Sequence, residues 1–90
     1  MDLNKLLDFK FQNDIKIQQS KMAEEWLEFQ WEIRNKNRTK EIDEGLDVLT
    51  ATLNYLMIIG MTEEDFNRHI NKLRLYRKTN YPPEVLEVEE

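Results

Sequence analysis

Apolar residues recur at close to helical spacing along nearly the whole chain, and only two glycines and two prolines interrupt them in 90 residues. A backbone with that period and so little punctuation buries its apolar side chains as packed helices. An all-α fold is therefore expected, as a single domain over residues 1–83 with an acidic tail at 84–90. A chain of this length buries only roughly 60% of the surface its unfolded form exposes. Self-association that covers the remaining apolar surface is expected as well.

The spacing predicts four helical segments. The first, about Asp2 to Phe11, places Leu3, Leu6, Leu7 and Phe11 on one face before Asn13 and Asp14 interrupt it. The second runs from Ile17 or Gln19 to Arg34, with Met22, Trp26, Phe29 and Ile33 as its core stripe. Glu25, Glu28 and Glu32 form an acidic stripe beside that core rather than opposite it. Carboxylates serving only solubility belong on the far side. A basic connector, Arg34 to Lys40, leads to a third helix that Thr39 is expected to cap and Gly60 to stop.

Apolar residues nearly encircle this third helix. Ile42, Leu46, Leu49, Leu53 and Leu56 lie on one side, and Val48, Tyr55 and Ile59 on another, so a central place in a bundle is expected. Glu44, Asp47 and Asn54 make a narrow polar strip along it. The fourth helix opens at Thr62 with acids in its first turn, and Phe66, Ile70 and Leu73 supply its core face. Arg68, Lys72, Arg74, Arg77 and Lys78 make its second half basic before Tyr81, Pro82 and Pro83 end the pattern.

Charge and cysteine content narrow the function classes. A net charge of −5 argues against binding a nucleic acid polymer. There is no cysteine, hence no disulfide framework and no thiolate metal site, which suits a cytoplasmic location. The N-terminal stretch MDLNKLLDFKF lacks the apolar core of a secretion signal. The most apolar run, Leu46 to Met61, is too short and polar to span a bilayer, so no membrane partner is expected.

The chemistry concentrates in two acid pairs, Glu25-x-x-Glu28 and Glu44-x-x-Asp47, on successive helices. An i, i+3 pair projects both side chains from one face. Two like charges about 4 Å apart repel by roughly 4 kcal/mol at an effective dielectric near 20, so converging carboxylates need a cation. Oxygen-only ligands favour hard ions, Mg²⁺ first and Mn²⁺ as substitute, and Mg²⁺ also takes phosphate oxygens. Taken singly, Glu25 and Glu28 suit a solvated helix face. Glu44 and Asp47 are less ordinary because the helix around them is apolar.

Other candidates weigh less. His69 is the one histidine, and no Glu-x-x-His is present, so the di-iron bundle pattern is not met. His69 is assigned to a partly exposed helix face. Trp26 is assigned to the core, and Trp31 to subunit contact ahead of base stacking. The chain holds no glycine-rich phosphate loop and no nucleophile elbow.

At these residues the sequence resembles the MazG-like branch of the all-α nucleoside triphosphate pyrophosphohydrolases, relatives of dimeric dUTPases and phosphoribosyl-ATP pyrophosphohydrolases. The resemblance rests on Glu25-Trp-Leu-Glu28 and Glu44-Gly-Leu-Asp47, on the phrases EEWLEF and EIDEGLDVL, and on KLRLYRKTNYP at Lys72 to Pro82. It covers roughly Met22 to Pro82. It implies a four-helix-bundle-like fold completed by oligomerisation as a homodimer or homotetramer. It also implies Mg²⁺ ligands at Glu25, Glu28, Glu44 and Asp47, and hydrolysis of a nucleoside triphosphate to monophosphate and pyrophosphate. Glu24 is the candidate general base, with Glu25 as the alternative. Arg68, Lys72 and Arg77 are candidates to neutralise the leaving pyrophosphate, and Asn54 to touch sugar or base unless it is a buried amide bonded to a neighbouring helix.

Two features depart from the pattern. Gly45 sits inside a helix, where it costs about 1 kcal/mol relative to Ala unless a close helix approach requires it. The chain is also shorter than many relatives, so another subunit is expected to complete the substrate pocket. The alternative reading is a non-catalytic helical interaction module or inactive relative, favoured by the short length, Trp31 and the charged tail.

Overall fold

The fold comes from a computed structural model that describes residues 1–9 and 14–79. Among the described residues every regular element is helical. A short 3-10 helix, Leu3–Asp8, precedes α1 (Ile15–Asn35), α2 (Arg38–Ile58) and α3 (Glu63–Thr79). No helix among them is long and apolar enough to cross a membrane. The chain divides into two compact units, Met1–Gly60 and Met61–Glu90. Phe11, the Tyr81-Pro82-Pro83 stop and the expected boundary at 83/84 lie outside the described residues.

Local chemistry sets the helix ends, and it corrects two expectations. Asp14, expected to interrupt, is instead the N-cap of α1, its carboxylate accepting from the backbone N–H groups of Lys16 (2.9 Å) and Ile17 (3.1 Å). An N-cap carboxylate satisfies donors that the first turn leaves open, so α1 starts earlier than the apolar pattern suggests. The connector is also tighter than seven residues. Lys36 adopts a left-handed conformation (φ 58°) and closes α1, while Asn37, not Thr39, caps α2 by accepting from Lys40 N–H at 3.1 Å. Asparagine outranks threonine as a cap, and here it stands where the chain first leaves helical geometry.

Gly60 ends the α2 region as expected, with φ 88°. Thr62 opens α3: its hydroxyl accepts from Asp65 N–H at 3.2 Å, and the Asp65 carboxylate accepts from Thr62 N–H at 3.0 Å. This reciprocal pair is a capping box.

In the first unit, α1 and α2 pack as an antiparallel hairpin, and the 3-10 helix packs against α2. The buried seam is small and polar. Gln18 on α1 and Ala51 on α2 are both fully buried, joined by a bond of 2.8 Å from the Gln18 amide to the Ala51 carbonyl oxygen. Thr50 and Asn54 are buried beside them. Gly45 permits the close approach: a Cβ there would stand 3.2 Å from the Phe29 ring. The unexpected mid-helix glycine thus has a packing cause.

That seam corrects the expected core of α1. Trp26 and Ile33 are exposed (48% and 46%), whereas Gln18 and Glu25 face inward. Successive helical residues are about 100° apart, so turning Glu25 towards α2 turns its neighbour Trp26 away. Trp26 leans instead on Phe29, with ring centroids 6.0 Å apart. Ile42, Leu46 and Leu49 are exposed as well, so α2 is not buried all round. His69 and Trp31 are exposed, as expected.

Candidate metal centre

The inward stripe of α1 continues from Gln18 through Lys21 and Glu25 to Glu28 and Glu32. Opposite it, the N-terminal half of α2 presents Glu44 and, one turn on, Asp47. The two acid pairs therefore meet across the hairpin. Carboxylate oxygens of Glu25, Glu28 and Glu44 all lie within 4.8 Å of one another. Glu25 is buried, Glu44 half-buried and Glu28 exposed. Asp47 is exposed and stands outside that trio, near enough to Glu25 and Glu44 to interact with both.

Crowding makes these acids harder to ionise. Loss of water is the first cause for Glu44, followed by the charges of Asp47, Glu28 and Glu25, and it raises its pKa. Glu28 is also raised; although its side chain is exposed overall, desolvation leads, followed by Glu25 and Glu24. Asp47 is raised by desolvation first and then by Glu25 and Asp43. Lys21 works the other way. Its ammonium donates to Glu25 Oε1 at 2.7 Å, and its positive charge lowers the pKa of both Glu28 and Asp47. In return Lys21 is held above the ordinary lysine range, chiefly by its bond to Glu25.

Oxygen atoms remain for a ligand. Oε2 of Glu25 and of Glu44 are buried with no hydrogen-bond partner, as is Oε2 of Glu32. An unpartnered buried carboxylate oxygen is costly, and a coordinated cation satisfies it. The donor set is oxygen only. Glu25, Glu28 and Glu44 thus fit a hard divalent cation such as Mg²⁺ or Mn²⁺, with Asp47 beside them.

The other expected site residues fall in different places. Glu24 is exposed at the edge of the cluster and adds to the negative field at Glu28. Asn54 is buried, and its amide donates to the carbonyl oxygens of Thr50 (2.8 Å) and Phe9 (2.9 Å). Both amide protons are committed to backbone, which ties the N-terminal segment to α2. Arg68, Lys72 and Arg77 are exposed residues of α3, in the second unit. Arg68 pairs with Asp65 at 2.9 Å, and the Lys72 ammonium lies 5.5 Å from the Tyr76 ring centroid.

Sequence reasoning passed over Lys21 and Gln18. Lys21 carried a usable signal, standing four residues before Glu25 on the same face. Gln18 carried none, because a lone glutamine on a polar helix looks solvated. No protein-family model, no curated protein and no solved structure matches this chain.

Proposed function

We propose that the protein is a divalent-metal-dependent nucleoside triphosphate pyrophosphohydrolase of the MazG-like type, converting a nucleotide and water to the monophosphate and pyrophosphate. One observation carries this reading: three carboxylates from two helices converge within 4.8 Å, with buried oxygens on Glu25 and Glu44 that nothing else satisfies.

Glu25, Glu28 and Glu44 would hold the ion, with Asp47 beside them. When bound, Mg²⁺ supplies Lewis-acid polarisation of phosphoryl oxygens and lowers the pKa of bound water. Glu24, solvent-facing and next to the ligands, is the candidate general base for the attacking water, with Glu25 as the alternative. Arg68, Lys72 and Arg77 are the candidates to offset charge on the departing pyrophosphate. Asn54, buried with its amide donating to backbone carbonyl oxygens, is the structural amide and not a contact for sugar or base. The reading includes a bundle completed by self-association, as a homodimer or homotetramer, and a cytoplasmic location where nucleotides and Mg²⁺ are both present.

The test is a panel of canonical and damaged nucleoside triphosphates with Mg²⁺, scored for pyrophosphate release. A folded, metal-loaded sample that releases none from any substrate refutes the proposal. A second reading, a helical interaction module, is favoured by Trp26, Leu27 and Trp31, all large and exposed on α1. Absence of specific Mg²⁺ or Mn²⁺ binding in calorimetry selects it.

A further inference from the structure

Lys21 and Glu25 form an ion pair whose placement is unusual for a helix surface. The pair is spaced i, i+4 with the lysine first, the less favourable order for helix stability. Surface pairs of this kind contribute little. Here, however, the glutamate side chain is only 8% exposed and the lysine 35%. The ammonium is therefore drawn partly out of water to reach a carboxylate that is almost wholly out of it.

The surroundings show what that ammonium compensates. Glu24 and Glu28 flank Glu25 on α1, and Glu44 and Asp47 face it from α2. Lys21 sits at the edge of this negative cluster and bonds one oxygen of its most buried member. The other oxygen, Oε2, remains without a partner. A monovalent ammonium thus offsets part of the repulsion and leaves a donor atom for a stronger cation.

We propose that Lys21 is a resident counter-ion of the acid cluster, standing in for the divalent ion while the site is metal-free and opposing that ion when it arrives. The inference rests on the metal reading above and adds a residue that sets the affinity. Lys21 offsets the repulsion among the acids of α1 and α2 in the metal-free hairpin and weakens metal binding by its like charge. Its loss therefore has opposite effects on the two states, because whatever stabilises the free form more than the bound form lowers affinity by the same factor. A lysine that merely packs or orients Glu25 would act in the other direction, since disturbing a ligand's supporting contact weakens metal binding.

The test titrates the full chain with Mn²⁺ by calorimetry and follows thermal unfolding by circular dichroism, for wild type, Lys21→Met, Lys21→Gln and Lys21→Arg. The expected result is a lower Tm without metal and Mn²⁺ binding tighter by about fivefold or more for Met and Gln, the low end of ordinary coupling. Arg, which keeps the charge, stays near wild type in both. The Gln variant keeps the experiment decisive if Met does not fold. Saturable binding that is unchanged or weaker in the uncharged variants overturns the role of Lys21 alone. No saturable binding by folded wild type overturns the metal reading, and this inference with it.

Discussion

The side-chain amide of Gln18 donates to the carbonyl oxygen of Ala51 at 2.8 Å, across the seam between two antiparallel helices and out of contact with water. Glu25 lies seven residues after Gln18, and Glu44 seven residues before Ala51. Seven residues are close to two helical turns, about 10 Å along the axis. Packing of Gln18 against Ala51 therefore sets Glu25 and Glu44 level with one another on facing sides of the hairpin. A slip of one residue in that register would separate the acids and rotate one of them out.

Gln18 should accordingly be sensitive to size more than to polarity. Gln18→Ala removes a fully buried side chain and its bond, and is expected to cost about 2–4 kcal/mol in urea denaturation. Gln18→Met keeps most of the volume and removes an amide oxygen that has no partner. It is expected to cost about 1 kcal/mol or less. Equal losses in the two variants would show that the bond, and not the packing, holds the seam.

Gly45 and Phe29 should be coupled. Alanine at 45 would gain about 1 kcal/mol of helix propensity, but its Cβ would stand 3.2 Å from the Phe29 ring. Gly45→Ala alone is expected to show none of that gain. In a Phe29→Leu background the gain of about 1 kcal/mol should appear. A double-mutant cycle by chemical denaturation measures the difference. No coupling would mean that the helices do not approach at this point.

Stability should depend on pH in an unusual direction when no metal is present. Glu28, Glu44 and Asp47 bind their protons more tightly in the folded chain than in the unfolded one. Protonation of these groups therefore favours the fold, and stability falls as pH rises through their raised values towards neutrality. Asp65 behaves oppositely. Its cap bonds to Thr62, and then Arg68, depress its pKa, so the stability it adds is lost only as pH falls through that depressed value. The metal-free protein is expected to reach its highest Tm in acid, below neutrality. Adding Mn²⁺ at pH 7 should raise Tm and move the maximum towards neutrality. A metal-free maximum at or above pH 7 would refute this account of the cluster.

Removing single acids should separate stability from function. Glu44→Gln takes away a half-buried charge that repels three others. It is expected to raise the metal-free Tm while weakening Mn²⁺ binding by about tenfold or more. Glu28→Gln and Asp47→Asn are expected to abolish pyrophosphate release with the helical circular dichroism retained. Full turnover in both would remove these acids from the reaction.

Some of this protein was legible in its residues taken one after another. Helical periodicity follows from local backbone geometry, so the all-α class and the stop at Gly60 could be read directly. The i, i+3 spacing of Glu25 with Glu28 and of Glu44 with Asp47 likewise placed each pair on one helical face. Asp14 and Asn37 were harder, because a capping side chain and a loop residue have the same composition.

Tertiary structure alone decided which face of α1 turns inward. Apolar residues extend around both α1 and α2, so periodicity permits several faces, and Trp26 seemed a better core residue than Glu25. The choice went to the stripe where the Phe29 ring lies against Gly45 and where Gln18 could reach the Ala51 carbonyl oxygen. Burying that stripe carried Glu25 inward and brought Lys21 against it at 2.7 Å. The sequence by itself determined that two acid pairs would ride on two helices. Packing at Gly45 and Ala51 determined that Glu25, Glu28 and Glu44 would meet.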